Sequence, residues 1–115
     1  MKTAKDPRHL KRRKLMRLLF EYGFKSNPKP SPVLTPIIKD LMKIDETIGA
    51  AAPLWPIKQI NRTDLAILRL AVFELLLGST PEKVVVAEAE ELAKEYGSDS
   101  SPSFVNGEVG KVLNA

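Results

Sequence analysis

The sequence predicts an all-α protein, a small bundle of about five helices with no sheet. Three observations carry that reading. Between Leu65 and Leu77 only Arg69 and Glu74 interrupt the apolar residues, and a helix that is apolar all round is a buried one. Ile37, Leu41, Ile44 and Ile48 recur at spacings of four, three and four, one stripe on a helix. No stretch alternates apolar and polar residues as a half-buried strand does. The 115 residues read as one domain over 1–115, with a basic first helix in 1–24, a Pro-rich linker in 25–35 and a helical body in 36–115; that length supports one modest core.

The first helix is expected to open with Asp6 as cap and Pro7 as first helical residue, and to run to Tyr22 with Gly23 as stop. On a helical wheel Leu15, Leu18, Leu19 and Tyr22 share one face, flanked by Met16 and Phe20, with Arg13, Lys14 and Arg17 opposite. Arg8, Lys11 and Arg12 precede the apolar residues, so this basic head is expected to project past the core. Pro28, Pro30, Pro32 and Pro36 then favour an extended connector. A second helix is expected after Thr35 as cap, ending near Gly49; Pro53 and Pro56 bar its continuation. Trp55, between those prolines, reads as an anchor packed on the core.

The central helix has Asn61, Thr63 or Asp64 available as its cap and Gly78 as its left-handed stop. Arg69 and Glu74 are five apart and cannot simply pair with each other, so each is expected to find a partner on another element. Ser79 or Thr80 then caps a fourth helix with Pro81 in its first turn, and Ser79 and Glu82 have capping-box spacing. Its buried side is Val84, Val85, Ala89, Leu92 and Ala93, and its acidic side Glu88, Glu90, Glu91 and Glu95. Gly97 ends it. Ser101 and Pro102 open the last helix, which carries Phe104, Val105, Val109, Val112 and Leu113.

Charge is unevenly spread. Residues 1–30 hold ten Lys/Arg and two acids, and the remainder eight Lys/Arg and twelve acids. A basic head on a mildly acidic body points to a polyanion partner. The absence of cysteine rules out disulfides and thiolate metal sites and fits a reducing compartment. With no apolar run of membrane-spanning length and no signal-peptide core, the expected location is the cytoplasm. His9 is the lone histidine, too little for a metal site, with no acid at triad-like spacing. No glycine-rich phosphate loop occurs. The expectation is a non-enzymatic protein with no catalytic residues, metal or cofactor.

Three stretches together resemble the NusB family of bacterial transcription antitermination factors. They are WPIKQINRTDLAILRLAVFELL from Trp55 to Leu76, PEKVVVAEAEELAKEYGSDSSPSFVNGEVGKVL from Pro81 to Leu113, and the weaker KRRKLMRLLFEY from Lys11 to Tyr22. The departures are a short proline-rich segment where the family usually carries another helix, Ala87 where asparagine is usual, Glu90 where an apolar residue is usual, and Phe20 where tyrosine is commonest. The resemblance implies a NusB-like two-part helical fold, here with a shortened first half. It also implies binding of boxA-type single-stranded RNA together with ribosomal protein NusE, within an RNA polymerase antitermination complex. A related domain fronts some RNA cytosine methyltransferases; no such catalytic domain follows in this sequence, so only RNA binding is expected.

The residue chemistry agrees. Phosphate binding needs clustered cations, and Arg8, Lys11, Arg12, Arg13, Lys14 and Arg17 supply them. Reading single-stranded bases needs an aromatic face and short polar groups, which SPSFVNG offers in Phe104 and Asn106. Phe104 serves equally as a core residue of the last helix, and Asn106–Gly107 equally as a local backbone requirement. By resemblance the central helix and the one after it face NusE, with Asp64 and Glu74 as candidate partner-facing acids. Asp64 can also cap its helix, and Glu74 can instead close a buried pair. The alternative to RNA binding is a helical protein-interaction module whose basic N-terminus binds no RNA specifically.

Overall fold

Asn61 opens the central helix as its sequence suggests. Its side chain accepts from the backbone N–H of Thr63 at 2.9 Å and of Asp64 at 3.3 Å, satisfying two of the donors a helix start leaves open. Gly78 closes the helix with φ of 74° and its N–H on the Glu74 carbonyl, a conformation that favours glycine. The computed structural model that gives this geometry describes residues 6–24 and 29–115. Residues 1–5 and 25–28, with Lys25 and Pro28 of the expected linker, lie outside the described residues.

Among the described residues the structure is helical throughout: α1 (Pro7–Phe24), α2 (Thr35–Lys39), α3 (Leu41–Ala51), α4 (Arg62–Leu77), α5 (Glu82–Tyr96) and α6 (Ser101–Leu113), with 3₁₀ turns at Pro32–Leu34 and Ile57–Gln59. The central helix is α4, which packs against α1, α3, α5 and α6. Ala66, Ile67, Leu68, Leu70, Ala71 and Val72 are all buried, so the apolar run marks the hub of the bundle. Its last turn emerges, with Leu76 and Leu77 exposed.

Several expectations are corrected. The second helix is two, because the backbone at Asp40 leaves the helical basin (φ −100°, ψ 8°). Thr35 lies inside α2 instead of capping it, and α3 runs past Gly49 to Ala51. Gly23 does not stop α1, which continues to Phe24; among the described glycines only Gly78 has positive φ. The linker supplies a core residue, Leu34. Neither Ser79 nor Thr80 caps α5; Pro81 takes the cap position, with no side-chain bond. Gly97 does end α5, and for a packing reason: the Ser101 side chain fills the space a Cβ there would need. Trp55 is half exposed instead of sunk in the core, its ring meeting Phe104 edge-on at a centroid distance of 6.2 Å.

The largest correction concerns the basic head. It does not project past the core. The fully buried line along α1 is His9, Met16 and Leu19, with Arg12 nearly enclosed between them. Of the expected Leu15–Leu18–Leu19–Tyr22 face, Leu19 is fully buried, while Leu15, Leu18 and Tyr22 form its flank, packed against the core from partly buried positions.

Candidate nucleic-acid interface

The rotation of α1 decides which cations face water. His9 sits 2% exposed against α5. Its Nδ1 lies 3.1 Å from Oε1 of Glu88 and its Nε2 lies 2.8 Å from Oε1 of Glu95. One turn on, Arg12 grips Glu74 of α4 with two nitrogens, Nε to Oε2 at 2.9 Å and Nη2 to Oε1 at 2.8 Å. Its Nη1 reaches Glu88 at 3.3 Å. Buried charges are retained where they are paired and hydrogen-bonded, and this cluster joins α1, α4 and α5.

Arg12 is therefore committed inward, away from any phosphate-binding surface. Glu74 closes the pair that its place in an apolar helix demands. Arg69, the other interruption in α4, pairs with Asp45 of α3 through two bonds of 2.9 Å each. Glu88, expected on the wet acidic side of its helix, is 2% exposed, because the charges it meets come from α1.

Arg8, Lys11, Lys14 and Arg17 are exposed. Arg8 holds Asp6, whose side chain caps α1 by accepting the Arg8 N–H at 2.9 Å; these bonds hold the Asp6 carboxyl below its usual range. Arg13 leaves the core on the α5 side. It donates from Nε to the Tyr96 hydroxyl at 2.7 Å, with its guanidinium carbon 5.7 Å from the centre of that ring. Beside this contact a groove of about 360 Å³ is lined by Met16, Arg17, Phe20, Glu21, Thr63 and Tyr96. Cations over aromatic faces and bases on aromatic platforms are the stock of single-strand recognition. Tyr96 was missed in the sequence; its signal was an aromatic directly before the stop glycine of an acidic helix, legible only once α1 is laid beside it.

The remaining expected site residues lie apart. Phe104 is partly buried and meets Trp55. Asn106, two residues along and so on another side of α6, donates to Glu90 Oε1 at 2.7 Å. Gly107 sits in ordinary helix with open space around its Cα, so no backbone requirement explains Asn106–Gly107. Asp64 is 7% exposed and turns inward, its Oδ1 without a hydrogen-bond partner. Burial pushes its carboxyl above the usual value, partly offset by the Ser101 hydroxyl. It is not a rim acid, and Asp64→Lys would bury an ammonium there, so that substitution reads folding before it reads any partner.

Among the described residues no group of acids and histidine could hold a metal ion, and no helix is long and apolar enough to cross a membrane.

The folded chain is similar to known proteins over nearly its full extent. The structure of NusB from T. maritima superposes with a TM-score of 0.85 at 27% identity, over 99% of this chain and 93% of that one. A transcription antitermination protein NusB from Chloroflexus aggregans is 52% identical over 73 residues, 61% of this chain and 49% of that protein. Its counterpart from Roseiflexus castenholzii is 50% identical over 74 residues, 62% of this chain and 52% of that protein. The alignments thus span about half the length of these sequence relatives. The profile of the NusB family matches residues 31–114, leaving α1 to the structural likeness alone, and with most of its length so matched this chain belongs to the NusB family.

Proposed function

We propose that the protein acts in transcription antitermination by binding boxA-type single-stranded RNA together with ribosomal protein NusE, without catalysing a reaction. The observation that carries this is Arg13 laid on Tyr96. It sets an aromatic ring into a flank of α1 whose other outward groups are Lys14 and Arg17, beside a groove that Phe20 and Thr63 also line. Arg8 and Lys11 add charge along the same helix, and Arg12 serves the face by fixing the helix that carries it. Phosphates would pair with the cations while a base meets the ring. Phe104 and Asn106, each engaged elsewhere, are left out of this face.

For NusE we propose the outer surface of α5. There a groove of about 510 Å³ is lined by Val86, Ala87 and Leu113, by the acids Glu82, Glu90 and Glu91, and by Lys83 and Lys94, the latter paired with Glu90. These acids suit a basic ribosomal protein, speeding association more than tightening it.

The test is a titration of the full chain with a boxA-type strand and with a shuffled strand of equal length, each with and without NusE. The expected result is tighter binding of the boxA-type strand and a further gain with NusE. Equal affinity for both strands in both settings would leave only an unspecific basic helix.

A further inference from the structure

We infer that His9 is a buried imidazolium acting as a proton-operated latch, which fastens the first turn of α1 to α5 and thereby positions the cationic flank beside Tyr96. The positioning role rests on the RNA reading above; the latch itself does not.

The geometry is specific to the doubly protonated ring. Both nitrogens of His9 lie on carboxylate oxygens, at 3.1 Å from Glu88 and 2.8 Å from Glu95. A neutral imidazole has one donor and one acceptor, so in that form one nitrogen would turn a lone pair toward a carboxylate. Only the cation satisfies both. The charged groups around it, taken element by element, point the same way. On α5 stand Glu88 and Glu95. On α4 stands Glu74, facing the cluster through Arg12. On α1 itself are Arg12, sharing Glu88 Oε1 with the histidine, and the capping Asp6. Arg13, further along α1, lies near enough to Glu95 for the two charges to attract, and the histidine proton adds a positive charge between Glu88 and Glu95. Burial pulls the histidine pKa down, but the bonds to Glu88 and Glu95 outweigh it and leave the ring above its ordinary value.

The contact to the proposed RNA face is short in sequence on both sides. His9 precedes Arg13 by one helical turn, and Glu95 is the residue before Tyr96. The His9–Glu95 bond and the Arg13–Tyr96 contact are therefore neighbouring rungs between the same two helices. A histidine whose folded pKa is raised contributes stability that is fully present below the unfolded value of about 6.5 and is lost as pH rises through the folded value. The latch is shut below about pH 6.5 and opens as pH rises through the raised folded value, near the range in which histidine is the natural switch.

His9 is the lone histidine of the chain, so its ring proton can be followed in the whole protein without assignment. The experiment is a pH titration of that ring by NMR, run on the full chain alongside amide exchange of the first turn of α1, for the natural sequence and for Glu95→Gln. The expected result is a midpoint above about 6.5, a loss of amide protection relative to the intrinsic base-catalysed rate through the same midpoint, and a midpoint lowered by roughly one unit in Glu95→Gln. A midpoint at or below that of the unfolded chain, or one that Glu95→Gln leaves unmoved, overturns the latch. A third arm measures affinity for the boxA-type strand across the same pH range, in the natural sequence and in His9→Gln. The natural protein is expected to lose affinity through the midpoint while His9→Gln shows no such step. A ring that titrates as expected with no accompanying step in affinity overturns the positioning role. A ring that titrates as expected in a chain that binds no RNA at any pH refutes the RNA reading and leaves the latch standing.

Discussion

The two sides of α4 are held by different physics. The side covered by α3 and α6 is mainly apolar, with Ile44, Ile48, Val105 and Val109 at most 1% exposed, the Arg69–Asp45 pair at its edge and Asp64 buried beside Ser101 at the start of α6. The side covered by α1 and α5 places His9, Arg12, Glu74 and Glu88 among Met16, Leu19, Val85 and Leu92. Apolar burial is non-directional, and both seams hold the bundle by it. Hydrogen-bonded charges have direction, so the second seam also sets how α1 is rotated and which of its cations reach water. The first seam contributes stability, and the second contributes stability together with the aim of the proposed RNA face.

Substitutions can break that division, and the largest effect is expected in the apolar seam. Ile44→Ala removes a fully buried side chain from α3 and should cost about 2–5 kcal/mol, read from urea unfolding, with the RNA affinity of the folded fraction unchanged. Arg12→Ala comes next. It strands Glu74 and takes one of its partners from Glu88, which keeps His9, and should cost about 2–4 kcal/mol, somewhat below a fully enclosed pair because water reaches the edge of the cluster. Here RNA affinity should fall in the folded protein too, and adding Glu74→Gln should recover part of the stability. An Arg12→Ala protein that keeps its affinity would separate the charged seam from the RNA face.

Phe104→Leu tests the far end of α6. Its edge contact with Trp55 is worth about 1 kcal/mol of stability, and affinity should follow only the folded fraction. A separate loss of about 1–3 kcal/mol in binding would return Phe104 to the RNA surface. The smallest effect belongs to Arg8→Ala. Its side chain is 84% exposed, so thermal stability should stay within error while the salt slope of RNA binding flattens by about 0.7.

The same contrast explains what could be read in the sequence. The second half was legible because its boundaries are written in backbone chemistry: Asn61 as cap, Gly78 and Gly97 as stops, Ser101–Pro102 as a start. The core of α4 was legible because apolar residues announce burial. The α1 seam was not, because periodicity counts apolar residues and the buried line there begins with His9 and Arg12, which count as surface. The same blindness puts Glu88 on the wet side of α5, while the partner-facing reading of Asp64 comes from the family resemblance. That Arg69 and Glu74 must each find a partner was inferable from their place in an apolar helix; which partner was not, since Asp45 and Arg12 are brought to them only by tertiary packing. The break at Asp40 has no sequence signal we can name.

The outward cations of α1 beside Tyr96 are proposed to bind RNA phosphates. The most direct measurement is affinity for a boxA-type single strand as a function of salt, in the natural protein and in the double variant Lys14→Ala, Arg17→Ala. With three to five phosphate contacts the natural protein should show a slope of log affinity against log salt of roughly −2 to −3.5, and the double variant should bind more weakly with a slope flatter by about 1.4. An unchanged slope in the double variant, with the fold intact, would contradict the claim and remove α1 from the RNA site.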